Sequence, residues 1–93
     1  MLNRNGDIVS DKRVFLYKYT FENKEDLKAS NDCVCLYCKN KIKFKEIKEW
    51  ITDVKSDTAL CPNCGVDAII PLIINEEMID NETIDFLHTS HFE

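Results

Sequence analysis

Glycine and proline are scarce, with two of each in 93 residues. Gly6 and Gly65 are the only glycines, so there is no glycine-rich loop to cradle a phosphate. No apolar run approaches the roughly 20 residues a membrane helix needs. Low-complexity tracts are missing too, and 44% hydrophobic against 31% charged residues marks a globular chain. The N-terminal "MLNRNGDIVSDKR" lacks an apolar h-region, so no signal peptide is expected and the protein is read as soluble and cytoplasmic. The serines are few, and none has a histidine at a suggestive spacing for nucleophilic catalysis. A chain of this length is expected to form one domain over 1–93, with an N-terminal strand extension over 1–32 and a cysteine-bearing part over 33–93.

Cysteine, by contrast, is plentiful. Cys35 and Cys38 form "CLYC", and Cys61 and Cys64 form "CPNC". A reducing cytosol argues against disulfides and for metal ligation. Two residues between ligands let the chain turn tightly, so that both sulfurs face one ion and backbone amides point at them. Two such knuckles close a four-cysteine tetrahedron, the form that zinc favours in structural sites. One structural Zn²⁺ held by Cys35, Cys38, Cys61 and Cys64 is therefore expected. The two rare residue types serve the second knuckle: Pro62 fixes φ in its turn, and Gly65 permits a positive φ after its last ligand. The first knuckle continues "CKN", and Asn40 is the residue there most tolerant of that conformation. Cys33 reads as a small buried hydrophobe on the strand entering the knuckle rather than as a substitute ligand. His88 and His91, three apart on an expected helix, read as packing or solvent-exposed residues, since four cysteines leave no ligand missing.

The rest of the chain reads as a small α+β fold with a zinc-ribbon-like site and short antiparallel strands. "NGD" (Asn5 to Asp7) reads as a turn. "VFLYKYTF" predicts a strand over Val14 to Phe21, with Phe15, Tyr17, Tyr19 and Phe21 on one face, read as a core face in preference to a base-stacking platform. "ENKEDLKASND" is a polar connection with room for a short helical turn. Lys39, Lys41, Lys43 and Lys45 alternate with Asn40, Ile42 and Phe44 at strand period. Ile47, Trp50 and Ile51 then fall on one helical face, predicting a short helix over Lys45 to Ile51 between the knuckles. "VDAIIPLII" predicts a buried strand over Val66 to Ile74, with Pro71 marking an edge or a bend. In "IDNETIDFLHTSHF", Asp80 is a good N-cap and Ile79 and Ile84 stand at the positions of a hydrophobic staple, predicting a C-terminal helix over Asn81 to His91.

The stretches "CLYC", "IKEW", "TALCPNCGVDAII" and "FLHTSHF" resemble a family of small bacterial cytoplasmic proteins with a zinc-ribbon-like site. The match runs from about Cys35 to Phe92 and is most specific around "TALCPNCGVDAI". The resemblance implies Cys35, Cys38, Cys61 and Cys64 as ligands, a small α+β fold and no catalysis. "CPNCGV" also looks like the second knuckle of the iron-binding rubredoxins. Here, however, the first knuckle lacks a glycine after its second cysteine, and the gap between the knuckles is shorter.

Charge divides the chain. Asp57 to Glu93 carries eight acidic residues and no Lys or Arg, whereas Lys39 to Lys55 carries six lysines against three acidic residues. The formal net charge is −5. Four thiolates and one Zn²⁺ take it to about −7. An acidic surface attracts basic partners and repels phosphate backbones. The reading favoured is a non-enzymatic interaction module, an adaptor or immunity-type neutraliser. It would bind a basic protein through Asp57, Glu76, Glu77, Asp80, Glu82 and Asp85. The alternative is a nucleic-acid- or ribosome-associated ribbon that uses Lys39, Lys41, Lys43 and Lys45. No membrane or small-molecule substrate is expected, and a zinc ion saturated by four cysteines has no open position with which to activate water.

Overall fold

The computed structural model describes residues 12–92. The turn expected over Asn5 to Asp7 and the side chain of His91 lie outside the described residues.

The chain enters as a 3-10 helix over Lys12–Thr20, not as a strand. The reason is visible in its exposure. Phe15, Lys18 and Phe21 face solvent, while Val14, Leu16, Tyr17, Tyr19 and Thr20 are half-buried. That is a period of three, the repeat of a 3-10 helix, in which residues i and i+3 eclipse. The aromatic alternation read as a strand face is therefore split. Phe15 and Phe21 are 64% and 57% exposed, and Tyr17 and Tyr19 pack against the core. Tyr17 also donates its hydroxyl to the Leu87 carbonyl.

Helix α1 (Lys24–Ser30) follows and buries Leu27. It stops at Asn31, whose φ of +66° is the left-handed conformation that ends helices and that asparagine tolerates. β1 (Asp32–Cys35) then runs down the middle of a three-stranded antiparallel sheet, between β2 (Lys41–Lys43) and β5 (Ile69–Pro71). The register pairs Cys33 with Ile42 on one side and with Pro71 on the other. Pro71 thus sits on an edge strand, the place a sheet tolerates it. In β2, Lys41 and Lys43 point outward and Ile42 inward, the alternation expected from the sequence.

Between the knuckles the expected helix is reduced to one 3-10 turn over Phe44–Glu46. Glu46 closes that turn by accepting the Lys43 N–H at 2.7 Å. The remaining residues form β3 (Glu49–Ile51), paired antiparallel with β4 (Thr58–Leu60). Trp50 accordingly lies on a strand opposite Ala59, its ring 5.8 Å from that of Phe44 and under the Lys24 ammonium. After β5 comes a hairpin of β6 (Ile73–Ile74) and β7 (Glu77–Met78). Its two-residue turn, Asn75–Glu76, has φ of +54° and +67°, the mirror-image turn that suits hairpin twist. The chain ends in α2 (Asn81–Phe92). Asp80 caps it by accepting the Thr83 N–H at 2.9 Å, and Ile79 and Ile84 both join the core, as expected of a staple.

The core gathers Leu27, Val34, Leu36, Ile69, Ile70, Ile84 and Leu87. One polar residue, Asn23, is fully buried among them. Its Nδ2 donates to the Tyr19 and Ile69 carbonyls at 2.8 Å each, and its Oδ1 accepts the Ala59 N–H at 3.1 Å. It therefore ties the 3-10 helix, β5 and β4 together with its hydrogen-bonding capacity largely satisfied.

Candidate metal centre

The two knuckles are the same backbone device built twice. In the first, the Cys35 N–H donates to the Asn40 carbonyl at 3.0 Å and the Lys39 N–H to the Cys35 carbonyl at 2.8 Å. In the second, Cys61 N–H meets the Val66 carbonyl at 3.1 Å and Gly65 N–H meets the Cys61 carbonyl at 2.9 Å. The offsets, five and four residues, are identical. Each loop needs a left-handed residue just past its second cysteine. Gly65 supplies it at φ +79°, and Lys39 supplies it at φ +63°. The positive φ expected at Asn40 thus falls one residue earlier, because the closing N–H belongs to the residue following the knuckle.

Asn40 has a different task. Its side-chain amide donates to Cys38 Sγ at 3.3 Å. Every sulfur also receives a backbone N–H from two residues ahead. Tyr37 serves Cys35, which the Cys38 N–H serves more strongly, Asn40 serves Cys38, Asn63 serves Cys61 at 3.3 Å, and Val66 serves Cys64. Such donors stabilise thiolate over thiol.

The four sulfurs lie within 4.8 Å of one another, with Cys35 Sγ to Cys64 Sγ at 3.6 Å and Cys38 Sγ to Cys61 Sγ at 3.7 Å. A tetrahedron with metal–sulfur bonds of about 2.3 Å has edges of about 3.8 Å. Sulfurs so placed can hold a metal ion such as zinc, and no disulfide joins them. Cys35 and Cys61 are buried, whereas Cys38 and Cys64 are half-exposed.

The environment differs from sulfur to sulfur. Burial pushes the Cys35 thiol far up and also raises Cys64. At Cys38 burial opposes ionisation, yet the Asn40 backbone and side-chain donors outweigh it, together with Cys35 and Cys61, and bring it down to about 7. Cys33 stands apart from the cluster. It is fully buried on β1, its thiol points at the Asn31 carbonyl at 3.7 Å, and burial pushes it up to about 12. That is the packed hydrophobe expected of it.

His88 is likewise no part of the cluster. Its Nδ1 lies 2.8 Å from the Leu36 carbonyl inside the first knuckle, and since a carbonyl only accepts, Nδ1 carries the proton. Nothing in the residue spacing pointed to this bond.

The charged candidates are engaged to different degrees. Asp57 is paired with Lys24 at 3.8 Å, and Asp85 with Lys39 at 3.3 Å. Asp80 is engaged as the α2 cap, where hydrogen bonds from the Thr83 hydroxyl and N–H hold its carboxyl below the usual range. Glu76, Glu77 and Glu82 are exposed on the β6–β7 hairpin and the first turn of α2. Of the four alternating lysines, Lys39 and Lys43 are drawn to Asp85 and Asp32, and Lys41 and Lys45 are exposed. Among the described residues no helix is long and apolar enough to cross a membrane.

No family model, no curated protein and no solved structure matches the chain.

Proposed function

We propose that the chain is a zinc-stabilised, non-catalytic interaction module that binds a basic protein through its acidic C-terminal surface, as an adaptor or an immunity-type neutraliser. The observation carrying the zinc half is the cluster of four sulfurs within 4.8 Å of one another, two of its edges being 3.6 and 3.7 Å, with backbone amides turned toward the sulfurs. Four thiolates complete zinc's usual structural coordination and leave no position for a substrate or water. The ion's contribution is then to the fold, on the order of 10 kcal/mol at neutral pH. The resemblance of the knuckle segments to small bacterial cytoplasmic proteins with zinc-ribbon-like sites supports the same reading.

The partner half rests on charge. With Asp57, Asp80 and Asp85 already engaged, the residues best placed to attract a basic surface are Glu76, Glu77 and Glu82. Long-range attraction of this kind raises association rates and fades with salt. The alternative lysine ladder has less support, because two of its four members face carboxylates.

Two measurements test the reading. Elemental analysis of the purified chain should give one zinc per chain and a colourless solution; a red iron-loaded protein would refute the zinc assignment. Affinity capture from the native host, with and without nuclease, should yield one basic protein in near-equal amount regardless of nuclease. Ribosomal or transcription components that vanish on nuclease treatment would refute the protein-partner assignment in favour of the lysines.

A further inference from the structure

Helix α2 grips the first knuckle at three points. Asp85 reaches Lys39 at 3.3 Å, His88 Nδ1 donates to the Leu36 carbonyl at 2.8 Å, and the Phe92 ring meets the Tyr37 ring edge-on at 5.1 Å. Spacings of three and four put residues 85, 88 and 92 on one stripe of the helix. The neighbouring stripe, Ile84 and Leu87, is buried in the core. The gripped residues are those whose positions the closed knuckle sets. Leu36 and Tyr37 lie between the two cysteines, with the Tyr37 N–H on Cys35 Sγ, and Lys39 is the left-handed residue that closes the loop.

We propose that metal occupancy and the docking of α2 are thermodynamically linked. This rests on the metal-site half of the reading above. The ion holds the first knuckle in the shape that α2 grips, and α2 in turn holds the knuckle in the shape that binds the ion. Linkage of this kind is reciprocal by necessity.

The test uses the full chain, with Zn²⁺ as the probe and competition against a chromogenic chelator as the readout. His88→Ala and Phe92→Ala should each weaken zinc binding by about 5- to 10-fold, although neither residue is a ligand. Thr89→Ala, exposed on the same helix, should leave affinity unchanged. Amide exchange over residues 81–92 should accelerate in both weakened variants. Should either lose its fold, Asp85→Asn removes only an exposed pair and should still weaken zinc by about 2-fold. Faster exchange in α2 with zinc affinity unchanged would overturn the linkage. A reduced wild-type chain that binds no zinc would overturn the metal-site reading instead, so the two failures separate.

Discussion

The first and second knuckles reach one backbone geometry by different means. The second spends the chain's scarce residues: Pro62 in the turn and Gly65 at the left-handed position. The first has neither. It holds a lysine at φ +63°, pairs that lysine with Asp85, and adds a side-chain amide from Asn40 to its outer sulfur. A glycine reaches positive φ without strain but gives up more entropy on folding; a lysine there carries strain that its surroundings must offset. The second knuckle thus reaches its left-handed position without strain, whereas the first has Asp85 and His88 of α2 set against it.

The largest test of this comparison removes a ligand from each side. Cys61→Ser and Cys38→Ser should both abolish zinc binding and unfold the domain, since the loss approaches the roughly 10 kcal/mol a structural site contributes. Circular dichroism and metal analysis read both effects. A folded, zinc-loaded Cys61→Ser chain would break the claim that four sulfurs are needed.

Next in size is the left-handed position. Gly65→Ala should cost about 1–2 kcal/mol of stability from backbone strain alone, because a Cβ there meets no atom within 4 Å. Lys39→Gly should do the opposite or nothing, since relief of strain is offset by lost chain entropy and by loss of the Asp85 pair. Denaturant unfolding of the zinc-loaded variants decides it. If Lys39→Gly proves more damaging than Gly65→Ala, the strain at Lys39 is not real.

The smallest effect concerns protons. In the metal-free chain, Cys38 at about 7 is the sulfur that favours thiolate, while Cys35 and Cys64 are raised. A depressed thiol stabilises the fold above its unfolded value near 9, and that stabilisation disappears as pH falls through about 7. The raised thiols have the opposite sign and lose their contribution as pH rises. Where the metal-free chain keeps the knuckle closed, alkylation at neutral pH should label Cys38 before the others, and Asn40→Ala, which removes the side-chain donor but not the backbone N–H, should weaken that preference. Equal labelling of Cys38 and Cys64 in the unmodified chain would show the Asn40 donors to be without effect.

The knuckles were legible because their chemistry is local. Two residues between ligands force the turn, and sulfur itself announces the ion. The C-terminal helix was legible for the same reason, since Asp80, Ile79 and Ile84 act within a few residues of one another. What escaped was set by distant partners. The alternating aromatics from Phe15 to Phe21 carry a strand's period, yet the segment winds into a 3-10 helix in which Tyr17 reaches Leu87 and the Tyr19 carbonyl receives Asn23. Ile47, Trp50 and Ile51 carry a helix's spacing, but pairing with Thr58–Leu60 makes a strand of residues 49–51. Asn23 gave no sign at all: it precedes a helix, as a cap would, and uses its side chain across the core instead. The charge map likewise did not show which carboxylates meet a lysine, since Lys24 and Asp57, or Lys39 and Asp85, are far apart in the chain.

The strand order β2–β1–β5 also bears on how the protein behaves in a crowd. A sheet grows into aggregates by adding strands at its edges. One edge strand here carries Pro71, which has no N–H to offer a newcomer, and the 3-10 helix packs against it. The other carries Lys41, whose exposed ammonium group disfavours a second copy of itself. Both edges of this sheet are thus poor templates for a further strand.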